Sequence, residues 1–272
     1  MAASLIKAQI KTSTDNSSSR LRVEPLSLAA AEALTKLPQT TLLVGCGRRA
    51  AACSLVLKKR FGANVCSIQI LNPVVSVAAL ERDWDWLLIP SHDHLQGPNI
   101  INFLGSLVNT PPPLNRDNPS LALLLGGATD YLSWDESNLN DWLYQAQQHP
   151  LPVIICPSRR TPAALVSSLK AWSRHAPDRS FVESNDAGGY RSALACAAEF
   201  WVSGDSINML AEACASDRPV RVLAADSARG KLQNYIHQLN ELRRFEKNAV
   251  PIREARRVAD ELIKRGALLG FE

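Results

Sequence analysis

The sequence predicts an α/β protein built from two domains of similar design. Three observations lead there. Short apolar runs with strand character alternate with segments of helical period, the layout of parallel strands joined by crossover helices. A proline-dense stretch, Thr110-Pro111-Pro112-Pro113-Leu114-Asn115-Arg116-Asp117-Asn118-Pro119, interrupts that rhythm. The same cadence then restarts. Each half therefore reads as a Rossmann-like unit, with a cleft expected between the two.

In the first half, strands are expected at Thr41 to Val44, Val65 to Ile70 and Trp86 to Ile89, with a helix from Arg48 to Arg60. The four prolines of the interruption remove backbone donors and fix φ, so neither a helix nor a central strand can continue through it. It marks the domain linker. Beyond it, strands follow at Leu121 to Leu125 and Val153 to Cys156, with a helix from Asn138 to Gln148 between them. Another helix opens at Thr161-Pro162, where Thr can cap and Pro is tolerated in the first turn. Strands near Phe181 and at Phe200 to Val202 come next, and a charged helix from Arg253 to Arg265 closes the chain. The expected domains are residues 23–116 and 117–272, with the last helix packing back across both. Residues 1–22 hold Lys7, Lys11, Arg20 and Arg22 among many Ser and Thr, a composition read as a solvated tail and shared with organellar transit peptides.

Bulk properties narrow the classes. The chain has 272 residues and a formal charge of +4, mildly basic but short of a nucleic-acid footprint. No apolar run approaches the roughly 18 residues of a membrane span. Its six cysteines have no paired metal-type spacing and read as reduced thiols of a cytosol-like compartment.

Several stretches invite chemistry. In "SGDSINMLAEAC", Ile207, Leu210, Ala211 and Cys214 fall on one side of a helix, and Asp205, Asn208 and Glu212 on the other. A helix N-terminus favours an anion such as phosphate, and a carboxylate farther along can accept from neutral hydroxyls, as on a ribose. The plain alternative is that Asp205 caps the helix and Glu212 is solvated. In "GCGRR", Gly45 and Gly47 flank a strand-to-helix turn, with Arg48 and Arg49 at the helix start. "PSHDH" places His92, Asp93 and His94 after another strand. A histidine oriented by a carboxylate can deprotonate a hydroxyl, and one bonded to backbone is merely structural. No convincing further ligands accompany His-x-His, so no metal is expected.

Residues 200–219, "FWVSGDSINMLAEACASDRP", resemble the donor-binding signature of GT-B glycosyltransferases. A narrower resemblance runs along most of the chain. "VGCGRRAAACSLVLKKR", "SIQILNPVV", "LLIPSHDHLQGPNI", "LLLGGATDYLSWDE", "CPSRRTPAAL", "VSGDSINMLAEA" and "VPIREARRVADELIKR" are similar, in order, to the mitochondrial fission, or elongated-mitochondria, family. That resemblance implies a GT-B-like fold and a metal-independent transfer of sugar from a nucleotide-diphosphate donor to a hydroxyl acceptor, with no cofactor. It implies that Ser206 meets the donor diphosphate and Glu212 the ribose. Gly126 and Gly127 would admit the diphosphate closely, and Ser158, Arg159 and Arg160 would meet the leaving phosphates. An ordinary loop and a surface salt bridge are the plain alternatives for the glycines and the arginine pair. His92 and Asp93 fit the family block as base and orienting acid. Asp83 and Asp85 of "DWDW" are read as surface or strand-edge acids rather than the metal-binding pair of GT-A enzymes.

Two departures from the family stand out: no convincing counterpart of its glycine-containing opening segment precedes Leu42, and "SDRP" replaces its usual Gly-Pro turn. The first suggests a shortened acceptor-side domain. The second function class is a non-catalytic adaptor at a membrane surface, as the plant relatives' role in fission implies, with the basic segment Arg229 to Arg265 as its docking element. A cytoplasmic location, peripheral to a membrane or less readily organellar, is the expectation.

Overall fold

The structure is a computed structural model that describes residues 27–35, 41–62, 65–246 and 248–266. The expected tail, residues 1–22, lies outside the described residues. The chain divides into two compact units, one of the residues up to Leu107 together with those from Glu254, the other Val108–Arg253.

The first unit carries helix α1 (Leu28–Ala33), strand β1 (Thr41–Cys46), helix α2 (Gly47–Phe61), β2 (Val65–Ile70), α3 (Val77–Asp83), β3 (Trp86–Pro90) and β4 (Ile100–Phe103). Its four strands are all parallel, in the order β1-β2-β3-β4. Asp85, at the foot of β3, accepts from the Ser67 backbone N–H (2.7 Å) and hydroxyl (2.9 Å) and pairs with Lys58 of α2. Burial alone would raise its carboxyl pKa, but Lys58 and Ser67 outweigh it and hold the value below the ordinary range. Asp83 pairs with Arg82 (2.7 Å). Both acids of "DWDW" thus have local structural partners.

The second unit contains β5 (Ser120–Leu125), α4 (Glu136–Ala146), β6 (Val153–Pro157), α5 (Ala163–Arg174), β7 (Arg179–Phe181), α6 (Ala187–Cys196), β8 (Ala197–Ser203), α7 (Ile207–Cys214), β9 (Val220–Leu223) and α8 (Gly230–Glu241). The order β7-β6-β5-β8-β9, all parallel, reverses direction between β5 and β8. Every residue of β5 is buried, as a central parallel strand covered on both faces requires. Leu121, Leu123 and Leu125 share one core with Trp134, Leu139, Trp142 and Leu169.

The last helix, α9 (Glu254–Lys264), packs back onto the first unit and belongs to it, although it follows the second unit in sequence and the expected domain 117–272 includes it. Val258 and Leu262, one turn apart, are buried with Ile68, Ile70, Leu88, Ile101 and Phe103. Glu254 accepts the Leu104 N–H (2.7 Å), and Arg257 donates to the Asn102 carbonyl (2.5 Å). The proline stretch also sits differently from the expected 116/117 boundary, since it is fastened to the second unit. Arg218 donates to the Pro112 carbonyl (2.9 Å) and to those of Leu194 (2.6 Å) and Ala197 (2.7 Å) at the end of α6. The "SDRP" turn is thereby a bracing point.

Arg244 does the same for α7. Fully buried, it donates to the carbonyls of Cys214 (3.0 Å) and Ala213 (3.2 Å) at the helix end and of Ser216 (2.6 Å) and Arg218 (3.1 Å) in the turn that follows. Arg244→Met removes the buried donor of the Ser216 and Arg218 carbonyls and is expected to destabilise the second unit by about 3 kcal/mol, read as a lower urea midpoint. Arg243→Ala, which removes only an exposed pair with Glu246, is expected to leave the midpoint unmoved.

Candidate functional site

In an open parallel sheet, the strand-order reversal leaves a crevice at the carboxyl ends of the strands on either side of it. Here those strands are β5 and β8, and the loops that follow them are Gly126-Gly127 and Gly204-Asp205-Ser206. The neighbouring β6 contributes Ser158-Arg159-Arg160-Thr161 to the same edge.

Asp205 joins the three loops. Its side chain is 0% exposed and accepts from the Gly127 N–H (2.8 Å), the Trp134 indole N–H (2.9 Å) and the Arg160 guanidinium (2.9 Å). Arg160 also donates to the Gly127 carbonyl (3.1 Å). The Ser203 hydroxyl accepts the Gly126 N–H (2.7 Å). A Cβ on Gly126 would overlap the Asp205 carboxylate, and one on Gly127 would overlap the Arg160 carbonyl, so neither position admits a side chain. These glycines are required by the close approach of other loops, beyond any service to a ligand.

Two capping expectations change in the structure. Asp205 does not cap α7; Ser206 does, its hydroxyl accepting the Met209 N–H (3.4 Å). Thr161 does not cap α5, whose flanking residue Pro162 makes no side-chain cap bond. Its hydroxyl instead lies against the Leu125 (3.0 Å) and Gly126 (2.5 Å) carbonyls and accepts the Ser158 N–H (3.0 Å). Both threonine and aspartate turn inward because the strand ends offer buried backbone groups that must be paired. Arg159 is exposed, with no side-chain hydrogen bond among the described residues, while the Ser158 hydroxyl accepts the Arg160 N–H (3.1 Å).

Glu212 lies on α7, beyond Ser206, and is not simply solvated. The Tyr190 hydroxyl of α6 donates to its Oε2 (2.6 Å). Burial pushes the Glu212 carboxyl pKa up, and the tyrosine's hydrogen bond offsets only part of that. Burial and then the carboxylate's charge push the Tyr190 hydroxyl far up as well.

The candidates of the first unit occupy the carboxyl ends of its own strands. Gly47 starts α2 in the left-handed region (φ 75°), and the flanking Cys46 makes no side-chain cap bond. Gly45 leaves room for Gln69, whose amide donates to the Ile70 (3.0 Å) and Gly47 (3.2 Å) carbonyls. Arg48 and Arg49 are exposed. His92 and Asp93 share a 3-10 turn after β3, His92 Nε2 lying 3.6 Å from Asp93 Oδ1, both partly exposed.

The strand reversal and the loops gathered at it define a class, a doubly wound α/β unit of the Rossmann type in a chain that also carries a second parallel α/β unit. The chain belongs to the mitochondrial fission ELM1 family, matched over residues 2–266. No curated protein sequence matches it. Among solved structures it is similar to MurG of Acinetobacter baumannii, at 14% identity over 81% of this chain and 74% of that one, with a TM-score of 0.40. It is also similar to S. aureus MnaA in its co-structure with UDP, at 11% identity over 100% of this chain and 80% of that one, with a TM-score of 0.44.

Trp134, Thr161, Ser203 and Tyr190 have no site role in the sequence reading, and Asp205 only a place in the polar stripe of its helix, although "GATDYLSW" holds one signal, a tryptophan beside a glycine-rich strand end. In the basic segment from Arg229, Arg243 pairs with Glu246, Arg256 with Asp260, Arg257 with Glu254 and Arg265 with Glu261. Among the described residues no helix is long and apolar enough to cross a membrane.

Because the folded pKa of Glu212 lies above its ordinary 4.5, ionisation costs stability. That cost is absent well below 4.5, grows as pH rises through it, and is complete above the folded value. Glu212→Gln is therefore expected to melt higher than the wild type at pH 7, with the difference vanishing toward pH 4 in a thermal-melt series.

Proposed function

We propose that the second unit binds a nucleoside-diphosphate sugar and that the protein is a metal-independent glycosyltransferase acting on a hydroxyl acceptor. The observation that carries this reading is the gathering of Gly126-Gly127 and the Ser206-capped start of α7 at the strand reversal, with Glu212 farther along the same helix. The six residues from Ser206 to Glu212 span about 9 Å of helix, comparable to the reach from a nucleotide's diphosphate to its ribose. The diphosphate meets the helix N-terminus, where unpaired N–H groups and the dipole favour negative charge. Glu212 accepts from ribose hydroxyls.

In transfer, the acceptor oxygen forms a bond to the anomeric carbon as the bond from that carbon to the phosphate oxygen breaks, and the diphosphate leaves with the electron pair. The acceptor's proton needs a base, for which His92, beside Asp93, is the first unit's candidate. Arg159 offers unmatched positive charge to the leaving group, and Arg160, half of whose duty is to Asp205, holds the glycine loop in place. No cofactor enters this chemistry.

Thermal-shift titration with UDP, GDP, ADP and CDP tests the donor site. At least one is expected to raise the melting temperature, and Glu212→Ala is expected to weaken that nucleotide by about tenfold or more. No shift with any of the four would overturn the reading in favour of a binding protein without donor chemistry.

A further inference from the structure

We propose that Tyr190 is a specificity-determining residue that acts with Glu212, the two side chains together recognising the vicinal hydroxyls of a ribose. This rests on the donor reading above.

Tyr190 sits in the first turn of α6, whose start is fixed by Asp186 accepting the Gly189 N–H (2.8 Å). A Cβ on Gly189 would overlap the Asp186 carboxylate, so the turn that presents the tyrosine has little freedom to substitute. Its hydroxyl donates to Glu212 Oε2 (2.6 Å). A phenol has one proton and two lone pairs, so a tyrosine whose proton is committed can offer a further partner only acceptance. Among the described residues Glu212 Oε1 receives no hydrogen bond, which leaves it as a second acceptor beside the first. Two adjacent acceptors suit a vicinal diol, which brings two donors. A ligand with one hydroxyl leaves one of these half-buried acceptors unmet, the situation in which polar sites discriminate most strongly. Tyr190 also holds one oxygen of a flexible glutamate still, so the other is presented from a fixed place.

Isothermal titration of the full chain with UDP, GDP, ADP and CDP, and with the 2′-deoxy and 3′-deoxy forms of whichever binds, tests this. The wild type is expected to prefer the ribonucleotide by about tenfold. Tyr190→Phe is expected to lose about tenfold for the ribonucleotide and almost nothing for the deoxy forms, so that the preference collapses. Glu212→Gln is expected to collapse it too, and the double variant to be no worse than the weaker single one. A wild type that binds no diphosphate removes both this proposal and the donor reading. A wild type that binds ribo and deoxy forms equally removes only this one. So does a Tyr190→Phe protein that keeps the preference, weakens all forms alike, or binds more tightly because the tyrosine had been blocking the carboxylate.

Discussion

A carboxylate taken fully out of water must be surrounded by donors, or the charge is lost. Asp205 accepts from two segments, the Gly127 N–H and the Trp134 indole after β5 and the Arg160 guanidinium after β6. The loops after β5, β6 and β8 are consequently one body. Thr161 and Ser203 extend the same arrangement by pairing the backbone at the end of β5. Glycine is obligatory at 126 and 127 because these groups crowd in from the other loops. Glu212 contrasts with all this. Among the described residues it has a single donor, Tyr190, and its burial makes ionisation costly.

The fold class was legible because parallel strands covered on both faces write themselves as unbroken apolar runs, as in Ser120–Leu125 and Val153–Pro157. Elements that escaped notice have weaker signatures. Strand β9 carries Arg221 in its middle, β4 is four residues long with Asn102 inside it, and α6 opens with Gly188 and Gly189 in its first turn. Helix α8 was hidden within what read as a basic segment. Positions flanking the site were readable as glycine, arginine and serine near strand ends, but their bonding was not. Asp205 and Ser206 are both good N-cap types, and which of them caps was decided by Trp134, 71 residues away. Likewise, nothing local to Thr161 announces that the backbone of Gly126 needs its hydroxyl.

The two buried arginines illustrate a second dependence. Arg218 and Arg244 each gather carbonyls at the ends of α6 and α7, the helices that carry Tyr190 and Glu212. Because guanidinium groups present several donors in a fixed plane, one side chain can terminate a helix whose last carbonyls face the interior. The departure at "SDRP" is therefore compensated by the residue that causes it.

Helix α9 closes the apolar cluster of the first unit from far along the chain, as the Leu104 to Glu254 bond, across 150 positions, illustrates. During synthesis on the ribosome, β1 to β4 emerge long before that cover exists, whereas every element of the second unit has emerged by Arg253. The later-made unit can thus complete its core first, and the earlier one keeps an open apolar face until α9 has been made.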